Sequence, residues 1–522
     1  MSNFQKPGAA GIALGYTVLF ALAFWLLFYH LDNHLLWGDE AETAVLAKNV
    51  VQFGVPQSYD GTNYILLHGT ADETHGHVWI WSPWMQNYLA ASSFVLFGPT
   101  TWAARAPFAL IGWFSVLLLA FTAWRIYRDH WVTLAAVALL GVSEIFLLHA
   151  RQCRYYSISV FAEILLVYAA YEIIASRRRG TWLAALALVL QFYSNYIIAV
   201  ANVPALLCLA WMLRKQGRAA LFGIATVLGI WVVAILPWLV FAHPWGQSQA
   251  MGNENYFTKA LEYLAQIHFV FLPLCFLLLP VLGWFSKDPE GANVPEVTKQ
   301  WERFVLFLLP LYFLVVLLAP GFYLRYQLPL LPLMCLLAAA WVFRYVPWRT
   351  LAVGLVIVQI MSNLFSLASA FPFRHGRTLR FPPIEFVRGI TTPYTNRFAD
   401  VLSFFKSQVH PGERVLSFDP EFALIFYTPL GVIDGRIMAP PPGELPNWIL
   451  PLPSAGVMAQ EPMALPDFLK PHYTLITISV HDSPLGDSMP EPRYYQYQTA
   501  LARMPFQIYE LNSYTNEPVS SP

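Results

Sequence analysis

Charge is what this sequence has least of. Asp, Glu, Lys and Arg make up 12% of its 522 residues, where a soluble domain carries about 25%. With 57% hydrophobic residues and a mean hydropathy of +0.49, that deficit points away from a water-soluble globule and towards lipid. No sign of charge dominates either. The 31 basic residues balance the 31 acidic ones, so no basic excess is available to hold a nucleic acid. Cysteine is equally sparse. Cys153, Cys208, Cys275 and Cys335 are scattered through mostly apolar stretches and form neither a disulfide framework nor a CxxC metal site. The first apolar run lacks a small-residue cleavage pattern and is followed by others, so it reads as a retained helix, not a signal peptide. There is no internal repeat of the kind that marks an inverted-repeat transporter.

What is present is a series of long apolar runs. A membrane span takes about 17–25 mainly apolar residues. Eleven candidate spans lie near 11–31, 105–125, 131–149, 155–175, 182–197, 198–213, 219–242, 266–285, 303–320, 326–343 and 350–371. The fifth and sixth meet at Tyr196 without a clear loop, and one long helix kinked through Asn195 and Pro204 is the alternative. Basic residues fall on alternate connections: Arg125 and Arg128; Arg177, Arg178 and Arg179; Arg214, Lys215 and Arg218; Lys287, Lys299 and Arg303; Arg344 and Arg349. Lys and Arg accumulate in cytoplasmic loops, which puts these connections and the N-terminus in the cytoplasm. Loop 32–104, residues 150–154, 243–265 and 321–325, and the tail are then expected outside.

Near residue 373 the composition turns polar and Pro-rich, as in APPPGELP (439–446). Strand-like pieces follow: RVLSF (414–418), ALIFYT (423–428), YTLITISV (473–480) and FQIYEL (506–511), after an amphipathic helix at 398–409. The expected fold is a polytopic α-helical membrane protein of about eleven transmembrane helices with a C-terminal extracytoplasmic α/β or α+β domain. Its expected boundaries are 1–372, including the outer loop 32–104, and 373–522.

Chemistry-bearing residues cluster on the expected outer side. LWGDEAETAVLAKNVVQFG (36–54) places Asp39, Glu40 and Glu42 just beyond the first span. Asp39 and Glu42 have capping-box spacing at the start of a helix that Gly54 and Pro56 stop. These acids either cap that helix or do chemistry. HARQCRYYS (149–157) puts Arg151 and Arg154, with Tyr155 and Tyr156, where basic residues are scarce. Arg325 and Tyr326 in FYLRYQLPLLP (322–332) repeat the anomaly. Paired guanidiniums suit a phosphate, and snorkelling to headgroups is the alternative. Glu144 and Glu163 lie within spans, where acids face a cavity or find an ion-pair partner. Glu144 is a cavity candidate, and pairing with Arg151 or Arg154 is preferred for Glu163. Glu172 pairs more naturally with the arginines at 177–179. His68, Asp72, Glu73, His75 and His77 are metal-ligand types in HGTADETHGHVW (68–79), but their spacing matches no helix-face zinc motif and a Gly-rich loop accounts for them. WSPWMQNYLAASSFVLFG (81–98) is aromatic enough to lie along the membrane interface.

In this order the segments are similar to the GT-C superfamily of membrane glycosyltransferases, in the bacterial branch related to protein O-mannosyltransferases and lipid A aminoarabinose transferases (ArnT-like). The resemblance rests on WGDEAETAVLAKNVVQFG, SPWMQNYLAASSFVLFG, TWAARAPFALIGWFSVLLLAFTAWRIYRD, RQCRYYSISVFAEILLVYAAYEII and LRYQLPLLP, spanning roughly residues 10–345. It implies transfer of a sugar from a polyprenyl-phosphate donor to a hydroxyl acceptor, which is a glycolipid, a glycan or a protein. The setting it implies is the outer face of a bacterial inner membrane, with membrane lipids as further partners. An acid of the first outer loop would act at the reaction centre, here Asp39 as base with Glu40 orienting base or acceptor. Arg151, Arg154 and Arg325 would hold the donor phosphate, and Tyr155, Tyr156, Tyr326 and Glu144 would line the cavity. The first acidic cluster has no DxD pair, so no cofactor is required on this reading and a divalent metal is not indicated. A lysine found in some relatives is absent from Trp81-Ser82-Pro83. A transporter or flippase of lipid-linked glycans is the alternative function.

Overall fold

The computed structural model describes residues 8–66, 69–215, 217–245, 255–281, 294–319, 321, 323–370, 378–393, 395–417, 421–435, 445–451, 470–481 and 502–512. His68 and most of the Pro-rich run 439–446 lie outside them. The chain forms two compact units. One comprises Met1–Tyr29, Ser82–Met85 and Ala106–Arg388, and the other His30–Trp81, Gln86–Arg105 and Gly389–Pro522.

The first unit is helical. Its principal helices are α1 (Ala9–Phe28), α4 (Thr101–Tyr127, of which residues to Arg105 cluster with the second unit), α5 (His130–Gly141), α6 (Glu144–Ala150), α7 (Tyr156–Ile174), α8 (Arg179–Ser194), α9 (Tyr196–Leu213), α10 (Arg218–Ala242) and α11 (Tyr256–Gln266). Glu296–Leu317, Leu330–Tyr345 and Arg349–Met361 follow. The protein is a multi-pass membrane protein. Each of the eleven apolar stretches carries helix. Among the described residues, however, only six helices are long and apolar enough to cross a membrane alone, or up to eight if each bent pair is one span.

The breaks have local causes. The stretch 266–285 is not a straight helix. Its parts Tyr256–Phe271 and Leu274–Val281 meet at 95°, on either side of Pro273, which lacks an N–H and obstructs the preceding turn. α5 and α6 meet at 60°. α8 and α9 are separate helices. Asn195 is extended (φ −160°, ψ 119°), and its side chain accepts from the Ile197 N–H at 2.9 Å, starting a new helix.

α7 is the buried axis of this unit: 89% of its most apolar window is buried, against 17% for α1 and for α10. Small residues on α7 and α8 allow close approach. At Gly180 an added Cβ would lie 2.7 Å from the Ile173 nitrogen and 2.8 Å from the Ala169 oxygen.

The second unit contains α2 (Gly38–Phe53), α3 (Met85–Phe97) and a five-stranded sheet in the order β2-β1-β3-β5-β4. The strands are β1 (Arg414–Ser417), β2 (Gly431–Asp434), β3 (Trp448–Leu450), β4 (Tyr473–His481) and β5 (Arg503–Leu511). β1 pairs parallel with β2 and β3, while β5 pairs antiparallel with β3 and β4. The expected strand at ALIFYT is instead a helix, Glu421–Tyr427. Parallel β1 and β2 need a crossover between them, and a short apolar run does not distinguish strand from buried helix by periodicity. Phe422, Leu424 and Phe426 are buried on this crossover.

The first loop and the sheet fold together. The Val432 N–H donates to Asn63 Oδ1 at 2.7 Å, and Asn33 Nδ2 donates to the Gly389 and Thr392 carbonyls. Tyr427 accepts from the Leu36 N–H at 2.9 Å and bonds the Thr101 hydroxyl at 2.7 Å. Burial pushes the Tyr427 hydroxyl up to about 12, from an ordinary value of about 10. Because the folded value is the higher, the stability this group contributes is complete below pH 10 and is lost as pH rises through 12. Tyr427→Phe is therefore expected to lower unfolding free energy by about 1–3 kcal/mol at neutral pH. It should also flatten the loss of stability between pH 10 and 12, as measured by thermal unfolding of the purified protein.

Candidate active site

The acidic stretch lies in the second unit. α2 begins at Gly38 with Trp37 as N-cap, and no side chain caps it. Asp39 is thus not the cap its spacing suggested but the second residue of the first turn. There its charge faces the positive end of the helix dipole. It is half-buried. Gly54 ends the helix in the left-handed conformation (φ 81°), as the sequence indicated.

Glu40 is fully buried and grips Arg105 with both oxygens: Nε donates to Oε1 at 2.8 Å and Nη2 to Oε2 at 2.7 Å. The same guanidinium donates to the carbonyls of Leu31, His34 and Leu35 at 2.8–3.0 Å. One side chain therefore fixes the turn before α2 and the first turn of α2. Glu40 holds the loop. Arg105 escaped sequence reasoning because it stands inside an apolar segment counted as a span. Its signal was a lone arginine next to the start of TWAARAPF.

Elsewhere in this unit, Glu73 accepts from the Ser58 hydroxyl and lies 3.0 Å from His77 Nδ1. Polar residues at 58, 73 and 77 thereby hold one another. Among the described residues, no three His, Cys, Asp or Glu side chains gather as a metal-binding group.

The arginines lie in the first unit, and they divide. Arg151 donates to the Leu26 and Tyr29 carbonyls at 2.7 and 2.9 Å, closing the C-terminal end of α1. Arg154 and Arg325 converge on Tyr155, whose phenol feels both charges together with Tyr156 and Tyr326. The Arg154 guanidinium lies 5.8 Å from the Tyr155 ring centre, and Arg325 lies 4.3 Å from that of Tyr323. The turn carrying Arg325 is anchored from neighbouring helices: the Tyr312 hydroxyl donates to the Tyr326 carbonyl at 2.8 Å, and the Tyr323 N–H donates to the Tyr263 hydroxyl at 3.0 Å.

Around these arginines lie buried polar side chains whose hydrogen-bonding atoms the described residues do not satisfy. Both amide atoms of Gln327 have no partner among them, while His149 and Gln152 have only each other. His149 is 2% exposed, Gln152 3% and Gln327 0%. His149 lies 4.8 Å from Tyr156, ring centre to ring centre, and within the field of Arg325. Unpaired buried polar groups cost about 1–3 kcal/mol each and need an explanation. Beside two guanidiniums, a polar anionic ligand supplies one. The sequence reading missed these three residues because histidine and glutamine are unremarkable until burial removes their water.

The membrane acids have partners within the fold, although Glu163 Oε1 has none among the described residues. Glu144 pairs with Arg380 at 3.3 Å, and Glu385 holds that arginine in turn. Glu163 does not pair with Arg151 or Arg154. It accepts instead from Gln191 and Asn202, each at 2.7 Å, because amides on α8 and α9 reach it first. Glu172 takes Arg177 at 3.0 Å and Arg179 at 2.6 Å, as expected, and Arg125 at 3.5 Å.

The family model described as dolichyl-phosphate-mannose-protein mannosyltransferase matches residues 82–241. Among solved structures, the chain is similar to ArnT from Cupriavidus metallidurans bound to undecaprenyl phosphate. Identity is 15%, over 81% of this chain and 86% of that chain, with a TM-score of 0.55. The apo state of that ArnT matches at 14% identity, over 81% and 85% of the two chains, with a TM-score of 0.51. No curated protein matches by sequence. The chain has the GT-C membrane glycosyltransferase fold.

Removing Arg105 leaves a carboxylate buried without its partner, which costs about 3–5 kcal/mol. Arg105→Ala is expected to lose stability of that order. Arg105→Lys should fall between, since an ammonium cannot reproduce the two-pronged bond. Glu40→Gln in the Arg105→Ala background should recover part of the loss, and chemical or thermal unfolding would show the order.

Proposed function

We propose that this protein transfers a sugar from a polyprenyl-phosphate donor to a hydroxyl acceptor at the outer face of a bacterial inner membrane. The observation that carries this reading is the convergence of Arg154 and Arg325 on Tyr155 beside the buried polar side chains of His149, Gln152 and Gln327. The family match and the fold support it, and the ArnT of Cupriavidus metallidurans is described with undecaprenyl phosphate bound.

The acceptor oxygen attacks the anomeric carbon and forms the new glycosidic bond, while the bond from that carbon to the phosphate oxygen breaks. The phosphate departs with the bonding electrons. The acceptor hydroxyl has a high pKa, so a base must take its proton during attack. Asp39 is the proposed base. Arg154 and Arg325 are the proposed groups that offset charge growing on the leaving phosphate. Arg151 and Glu40, committed to the end of α1 and to Arg105, act as supports in this reading. The acceptor is a glycolipid, a glycan or a protein. Mass spectrometry of glycans and glycolipids from a deletion strain would identify both sugar and acceptor.

Asp39→Asn is expected to lower transfer from a polyprenyl-phosphate sugar by about 10²–10⁴-fold while donor binding stays unchanged. Wild-type turnover in that variant would remove Asp39 as the base. Arg154→Ala and Arg325→Ala should weaken binding of polyprenyl phosphate itself by about tenfold or more, since a hydrogen bond to a charged group contributes about 1.5–3 kcal/mol. Unchanged affinity in both would remove the phosphate assignment.

A further inference from the structure

At the far end of α7 from Tyr155 lies a second basic feature, which the proposed transfer reaction does not use. A cleft of about 550 Å³ opens between the end of α7, the start of α8 and the start of α10. We propose that it binds the anionic headgroup of a membrane phospholipid, with the acyl chains running along α8 and α10.

The cleft is built by close helix approach. Gly180 brings α8 against α7, and at Gly223 a Cβ would stand 3.1 Å from Thr181 Oγ1, so α10 lies close on α8. Ser176 turns the chain in the left-handed conformation (φ 58°), directly before Arg177. Hydroxyls of Ser176, Thr181 and Thr226 line the space with Arg177 and Arg178. The Thr226 hydroxyl donates to the Phe222 carbonyl, which leaves Ser176 and Thr181 as neutral hydroxyls beside two guanidiniums, a combination suited to phosphate and glycerol oxygens.

Charge balance favours an anion. The one carboxylate in this network, Glu172, is fully buried and already holds Arg125, Arg177 and Arg179. Arg178 is exposed and has no side-chain hydrogen bond or ion pair among the described residues. Among the described residues, positive charge therefore exceeds negative at the cleft, and an anion from outside them would balance it.

Two aromatics select a lipid over a soluble anion. Trp182 is 66% exposed and Phe222 75%, and both line the cleft. On helices of a membrane bundle such side chains meet headgroup and acyl chain together. A basic pocket between transmembrane helices is a recognised form of anionic-lipid site, and each Lys or Arg near an anionic surface contributes about 1 kcal/mol. The donor lipid does not explain this cleft. α7 has 19 residues, so about 28 Å of helix separates Tyr155 from Ser176, close to the full hydrocarbon thickness of a bilayer.

The test uses the full-length protein purified from membranes and exchanged into nanodiscs of mixed phosphatidylglycerol and phosphatidylcholine, with co-purifying lipid quantified by mass spectrometry. Phosphatidylglycerol is expected to be enriched several-fold around the wild type. Arg178→Gln should cut that enrichment at least threefold and Arg178→Glu further, with phosphatidylcholine unchanged. Arg214→Gln, whose guanidinium stacks 4.1 Å from the Trp211 ring centre outside the cleft, should behave as wild type. Equal retention of both lipids, or full enrichment in both Arg178 variants, would overturn the proposal. So would displacement of phosphatidylglycerol by excess inorganic phosphate, which would make the cleft a soluble-anion site.

Discussion

Arg105 carries five hydrogen bonds from one buried guanidinium: two to Glu40 and three to the carbonyls of Leu31, His34 and Leu35. In a site with little water, each of these groups has no equivalent alternative, so the turn and the helix start are held together as a set. Asp39 stands beside Glu40 on that helix and takes its place from this arrangement. Tyr427 adds a second tie to the same turn through the Leu36 N–H, and Asn63 ties the following loop to β2. The acidic loop is thus an integral part of the sheet unit and not a free connection between helices.

The helical unit follows the same rule with a different result. Three of its acids have partners from within: Glu144 in Arg380, Glu163 in two amides on one of its oxygens, and Glu172 in three arginines. Low dielectric makes an unanswered carboxylate very costly, so the fold leaves none of these three without a partner. Near Arg154 and Arg325 it buries the neutral polar side chains of His149, Gln152 and Gln327. The proposed phosphate site draws on this combination of positive charge and buried hydrogen-bonding capacity. That selection of sign comes from the pattern of pairing, since the chain as a whole is neutral.

Much of this was legible beforehand. Each of the eleven apolar stretches picked out by hydropathy carries helix, and loop arginines such as Arg177 and Arg179 correctly indicated partners for Glu172. The arginines at 154 and 325 stood out because they interrupt apolar sequence. Less legible were features set by neighbours distant in the chain. The spacing of Asp39 and Glu42 fits a capping box, yet the helix starts at Gly38 because Arg105, more than sixty residues on, holds the preceding turn. ALIFYT has strand composition, yet the parallel pairing of β1 with β2 requires it to cross over.

The sequence by itself determined the solvent of this protein, the positions of its apolar segments and the identity of the charges that interrupt them. These follow from composition and local periodicity, which any stretch of chain carries without reference to the rest. Only the tertiary structure decided which charges pair with one another. Arg105 and Arg151 bind the chain together, while Arg154 and Arg325 gather around tyrosines beside polar groups that the described fold does not satisfy. Pairing depends on distances across the folded chain and on exclusion of water, and neither exists until the segments have packed.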